Sequence, residues 1–192
     1  AEDGIRDVER SRGLGDVYKR QHQSSIEDMI FLADKKKEVP FLIILDRVQD
    51  PHNLGAIARS AEVFGIHGII VPSKESAKIS PGAIRASSGA LEHINFTIVN
   101  SINKSINYLK KLNFQIISLD MEGKDINNFK IDKLIPTALI VGSEHNGVSK
   151  TIIENSDYIV SIPMKGEISS LNVSVATGIT LYELCGKNIH NG

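Results

Sequence analysis

Six short apolar runs rich in Ile and Val punctuate this chain, at 41–45, 68–72, 95–99, 114–119, 137–141 and 158–162. Each has the length of a strand and is apolar at nearly every position, the pattern of a strand covered on both faces. Helix-start signals fall between them. Asn53 can cap a helix over 54–64 that Gly65 stops; Ser80-Pro81 begins another; Ser101 caps 102–112; Ser149 precedes 150–155. Strand and helix in alternation predict an α/β fold with a parallel sheet flanked by helices. Ligands of such sheets bind beyond the carboxyl ends of the strands. The informative loops therefore follow Asp46, Gly142 and Pro163.

The 192 residues carry 22 Lys and Arg against 23 Asp and Glu, a net charge of −1. That excludes bulk polycation binding of the histone type, while a local basic face still suffices for phosphates. Cys185 is the single cysteine, so an intrachain disulfide and a cysteine-rich zinc site are excluded. It reads as a small buried hydrophobe rather than a nucleophile. The six His lack ligand spacing, and no metal is expected. No apolar run approaches ~20 residues, and residues 1–25 are too charged for a signal peptide, so a cytoplasmic location is expected. Residues 1–21 hold five basic and five acidic residues without apolar periodicity and read as a non-native leader or a disordered arm. Residues 22–39 read as a short amphipathic helix and charged linker, and 40–192 as one domain.

The first loop, DRVQDPHNLGAIARSAEVF, places Leu54, Ile57, Ala58, Ala61 and Phe64 on one helical stripe. Arg59 falls on the other side, either as a surface partner of Glu62 or as a functional cation. In the second, VGSEHNGV, Gly142 and Gly147 allow close backbone approach, and Glu144 sits where a carboxylate could orient an arginine or a hydroxyl. The third, SIPMKGEISSLNVSVATGITLYE, carries no charge from Ile168 to Tyr182. A helix apolar all round is covered on more than one side, and a second subunit is a plausible cover. Ser169, Ser170 and Asn172 at its start either cap it or hold an anion.

In their order and spacing these loops resemble motifs one, two and three of the SpoU/TrmH family. Asn53 with Arg59 forms the first, Gly142–Glu144–Gly147 the second, and Ile162-Pro163-Met164 with Ser170-Leu171-Asn172 the third. The similarity spans about residues 40–186. The family comprises SPOUT-class RNA 2′-O-ribose methyltransferases that use S-adenosylmethionine. DPHNLGAIARSAEVFGIHGIIVP and SIPM…SSLNVSVATGI look closest to the branch acting on guanosine of 23S rRNA, with the tRNA guanosine branch more distant.

The resemblance implies a C-terminal deep trefoil knot, a homodimer, and RNA as substrate, 23S rRNA before tRNA. It places Gly142, Ile162, Met164, Leu171 and Asn172 at the methyl donor. It makes Arg59, Asn53, Glu144, Ser170 and Asn172 the catalytic set, with Glu144 orienting Arg59. Arg59, Lys74, Lys78 and Arg85 become the candidates for RNA contact. Arg47 stands where relatives commonly have a small residue, and is expected to touch no motif position. The rRNA branch usually carries an N-terminal RNA-binding domain, of which 22–39 resembles only the linker. A non-catalytic RNA-binding or ribosome-assembly factor is the reading from a different class.

Overall fold

The computed structural model describes residues 24–144, 146–167 and 170–186. The expectations for residues 1–21 and for Ser169 lie outside them. Six strands form one parallel sheet: β1 Phe41–Asp46, β2 Gly68–Pro72, β3 Phe96–Val99, β4 Gln115–Asp125, β5 Thr137–Gly142 and β6 Tyr158–Ser161. Their order across the sheet is β3-β2-β1-β5-β4-β6. Among the described residues, six helices flank it: α1 Ile26–Lys36, α2 Pro51–Val63, α3 Pro81–Ser87, α4 Ile102–Lys111, α5 Lys150–Ile153 and α6 Val173–Leu184. None is long and apolar enough to cross a membrane.

The near-continuous apolar runs become strands buried on both faces. In β1, Ile43 and Leu45 join the core beneath α2 and α6, while Leu42 and Ile44 join the core beneath α1, α4 and α5. The chain runs outward from β1 to β2 and β3, then returns to the other side of β5. Strands β1 and β5 pair from Phe41↔Thr137 to Asp46↔Gly142, so the connections after them diverge from a crevice at their carboxyl ends.

Three local features depart from expectation. Helix α2 begins at Pro51, capped by Asp50, whose Oδ1 accepts the His52 N–H at 2.8 Å. Proline lacks the N–H that a first helical residue leaves unused, so it starts the helix ahead of Asn53. Asn53 is thus inside the first turn, with its side chain released from capping. Second, β4 runs past Leu119 to Asp125, and its pairing with β6 shifts between Leu119 and Lys124. That irregularity turns Asp120 and Met121 out of the ladder. Third, Arg47 adopts φ 60° and Glu75 φ 54°, both in the left-handed region.

Helices α2 and α6 pack together. Val173, Thr177, Thr180, Leu181 and Leu184 face inward, and the two threonine hydroxyls donate to the carbonyls of Val173 and Ala176. The opposite face exposes Val175, Ile179 and Tyr182. A Cβ on Gly178 would stand 3.6 Å from Ser60 Oγ, an ordinary contact, so packing on α2 does not require the glycine. Burial pushes the Cys185 thiol up to about 12, consistent with an inert packed side chain.

Gly55 is different: a Cβ there would lie 2.3 Å from the Ala83 carbonyl oxygen and 2.9 Å from the Ser87 nitrogen. Helix propensity alone favours Gly55→Ala by about 1 kcal/mol. The clash with α3 backbone, worth about 1–3 kcal/mol, outweighs it. Urea unfolding should therefore show Gly55→Ala to be less stable than the wild type.

Candidate functional site

The sheet's central crevice gathers the three loops. Gly142 ends β5, and the chain folds back at once: Gly147 N–H donates to the Ser143 carbonyl at 2.9 Å, and Ser143 N–H to the Gly147 carbonyl at 3.2 Å. A Cβ on Gly142 would lie 2.0 Å from the Gly147 carbonyl carbon, so only glycine permits this fold-back. Gly147 itself has φ 59°. The turn holds Glu144 at its tip.

Glu144 Oε1 accepts the side-chain amide N–H of Asn53 and, at 3.3 Å, that of Asn172. Asn172 Nδ2 also donates to Asn53 Oδ1 at 3.0 Å, closing a three-residue ring of contacts. Asn172 Oδ1 caps α6, accepting from Ser174 N–H at 2.9 Å and Val175 N–H at 3.3 Å. Capping and cross-loop bonding are therefore compatible in one side chain. Asn53 is buried, whereas Glu144 and Asn172 are exposed at the crevice mouth.

Against this ring lies a cavity of about 320 Å³. Of the residues expected at the donor, Gly142, Ile162, Met164 and Leu171 line it and Asn172 adjoins it through the ring; Glu144 and Ser170, expected in the catalytic set, line it too. Leu119, Asp120, Met121, Asn146 and Ala176 complete the wall and were not foreseen. Asp120 and Met121 come from the irregular stretch of β4, where Gly123 in DMEGKD is the one local sign of a break. The cavity combines backbone, apolar side chains and carboxylates, and its size lies in the roughly 300–1,000 Å³ range of small-ligand pockets.

Within one chain, two contacts differ from those expected. Glu144 bonds the two asparagines, while Arg59 Nη1 donates to Ser88 Oγ at 3.1 Å on the α3 side. Glu144 thus does not orient Arg59 within one chain, and no ion pair with Glu62 forms among the described residues. A side chain on the outer surface of α2 points away from the crevice that the inner surface closes. Arg47, expected to touch no motif position, reaches the second loop. Its Nε and Nη2 bind the Asp46 carboxylate at 3.1 Å, and Nη2 also donates to the Gly147 carbonyl at 3.4 Å. Asp46 in turn accepts the Ser149 N–H at 2.8 Å, and its carboxylate strengthens the charge on Arg47.

Lys74 lines a separate cavity at the ends of β1, β2 and β3. Lys78 and Arg85 are exposed on the segment between β2 and α3, and on α3. No cluster of three metal-ligating side chains occurs among the described residues.

A parallel sheet with a ligand-sized cavity at its topological switch point has the layout in which open α/β proteins bind their ligands. The chain belongs to the SpoU rRNA methylase family, whose model matches residues 40–182. It is 49% identical over 151 residues to an uncharacterized tRNA/rRNA methyltransferase of Borreliella burgdorferi, covering 78% of this chain and 65% of that one. It is 41% identical over 147 residues to the 23S rRNA (guanosine-2′-O-)-methyltransferase RlmB of Yersinia pestis, covering 77% and 59%. The chain thus spans less than two thirds of either relative. Among solved structures it resembles the SpoU methyltransferase AviRb of Streptomyces viridochromogenes in complex with AdoMet. The TM-score is 0.71 at 32% identity, over 80% of this chain and 59% of that one.

The fold-back can be tested directly. Gly142→Ala should displace the Ser143–Gly147 turn, and the Gly147 amide should exchange hydrogen at least about fivefold faster, since losing one net hydrogen bond costs about 1 kcal/mol or more. Unchanged protection would show that the turn does not depend on the glycine.

Proposed function

We infer that this chain transfers a methyl group from S-adenosylmethionine to a ribose 2′-oxygen of RNA, guanosine of 23S rRNA being the substrate best supported. The observation that carries the reading is the Asn53–Glu144–Asn172 ring at the mouth of a cavity lined by Gly142, Ile162, Met164 and Leu171. The cavity suits the donor: apolar walls for the adenine, backbone groups at Gly142 and Gly147, and the carboxylates of Asp120 and Glu144 for a cationic centre. When bound, the sulfonium supplies an electrophilic methyl.

The protein's part is placement and charge. A ribose hydroxyl attacks poorly unless it is aligned and loses its proton. The ring fixes the Asn53 and Asn172 amides against one another beside the donor cavity, and Ser170 adds a hydroxyl to the wall. Arg59, always charged, clamps an RNA phosphate and the 2′-oxygen, and the phosphate takes the proton. Lys74, Lys78 and Arg85 contact flanking phosphates.

A homodimer accounts for Arg59. Val175, Ile179 and Tyr182 leave an apolar face on α6, with exposed Val63 of α2 alongside. Pairing through this face would carry the Arg59 of one copy toward the crevice of the other. The path after β6 supports a trefoil knot: Ile162, Met164, Ser170 and Leu171 line the cavity together with the ends of β4 and β5, before α6 packs on α2. Soluble tRNA is the second reading. The chain covers 85% of the TrmH/SpoU tRNA modifying enzyme of A. aeolicus, at 29% identity and a TM-score of 0.71.

Labelled methyl from S-adenosylmethionine should enter unmodified 23S rRNA rather than bulk tRNA. Arg59→Ala and Asn172→Ala should each lower transfer at least about 100-fold, the scale of losing one transition-state contact. Arg59→Ala should still bind the donor, and mixing the two variants should restore part of the activity. Full activity in Arg59→Ala removes it from the mechanism, and no rescue on mixing places both residues in one copy's site.

A further inference from the structure

A second cavity of about 440 Å³ adjoins the donor cavity, sharing Ser143, Glu144, Asn146 and Val173 with it. Two of its remaining lining residues are backbone exceptions. Among the described residues, five non-glycine residues have positive φ: Lys37, Arg47, Glu75, Ser88 and Asn113. Lys37 and Ser88 are helix C-caps, and Asn113 directly follows the cap of α4, positions where the left-handed conformation is routine. Arg47 and Glu75 end no helix. They follow β1 and β2, and both line this cavity. Left-handed strain without a capping role concentrates at functional positions.

The two side chains have complementary capacity to spare. Asp46 grips Arg47 through Nε and Nη2, which fixes the guanidinium plane and leaves both hydrogens of Nη1 without a partner among the described residues. Glu75 makes no hydrogen bond among the described residues and is near enough to Arg47 for a charge interaction. Asp50 and Glu144 also line the cavity, so three carboxylates face one guanidinium there. That balance disfavours a phosphate inside. It favours an uncharged ligand that offers both donors and acceptors.

We propose that this cavity receives the acceptor base and that Arg47 and Glu75 select guanine. Guanine presents O6 and N7 as neighbouring acceptors, and the free Nη1 of Arg47 can donate to O6. Its N1–H and N2–H₂ form an adjacent donor pair for a carboxylate. Adenine has an amino donor where guanine has O6 and lacks the N1–H, so it keeps only N7 for Arg47 and offers Glu75 no adjacent donor pair. A site built for hydrogen bonds rejects such an analogue strongly. The assignment rests on the methyl-transfer reading only for calling the base an acceptor; the cavity's preference for guanine stands apart from it.

The probes are guanosine 5′-monophosphate and adenosine 5′-monophosphate, titrated into the full chain and followed by ligand-observed NMR. Wild type should bind the guanine nucleotide at least about tenfold more tightly, as expected when charged hydrogen bonds are made to one and missed by the other. Arg47→Gly, which suits the φ of 60° and whose folding is checked by circular dichroism because Asp46 loses its ion pair, and Glu75→Gln at an exposed position should each abolish the preference. Equal binding of the two nucleotides by wild type, or an undiminished preference in both variants, overturns the proposal. Methyl incorporation into 23S rRNA and tRNA is measured on the same preparations. No incorporation with an intact guanine preference would sink the transfer reading alone; incorporation without the preference would sink the base assignment alone.

Discussion

Glu144 shares one carboxylate oxygen between the amides of Asn53 and Asn172, residues 91 and 28 positions away along the chain. Those two asparagines bond each other across 119 positions. Closing such long loops costs entropy that no local interaction returns. The parallel sheet meets most of that cost by pairing β1 with β5, which brings Asp46 level with Gly142. The ring of contacts then converts the nearness of three loops into a definite geometry. Without it, the donor cavity would have walls but no fixed mouth.

The ring depends on two backbone devices. Gly142 lets the chain fold back against Gly147, and Pro51 starts α2 early enough to free Asn53 from capping. Asp46 and Arg47 brace the same turn from the β1 side, through Ser149 and Gly147. The strained Arg47 and Glu75 mark a neighbouring cavity that the ring separates from the donor side. One crevice thus offers two compartments, one apolar and backbone-lined and one polar and charged. That division suits a reaction joining a sulfonium donor to a nucleotide.

Most of the architecture was legible in the sequence because strands buried on both faces announce themselves by continuous Ile and Val. Five of the six strands fall within about one residue of the apolar runs. The extension of β4 was hidden, because 120–125 is polar and its departure from regular pairing leaves little trace beyond Gly123. Asn53 before an apolar stripe looks like a cap; that Pro51 wins depends on Asp50 reaching the His52 N–H. The partners of Glu144 were invisible for a different reason. Hydrogen bonds between loops some 90 residues apart leave no periodicity, and motif resemblance named the residues without saying which touch. The apolar stripe of α2 already marks Arg59 as outward-facing; what the stripe does not show is its Ser88 partner beside α3.

The central claim is that Asn53, Glu144 and Asn172 act as one unit that shapes the donor cavity. A double-mutant cycle on Asn53→Ala and Asn172→Ala, read as the affinity for S-adenosylmethionine by calorimetry, addresses it most directly. Residues in one network should show a coupling energy of about 0.5–3 kcal/mol, the double variant losing clearly less than the sum of the two single losses. Additive losses, agreeing within about 0.3 kcal/mol, would mean that the two asparagines serve the site independently and would contradict the account.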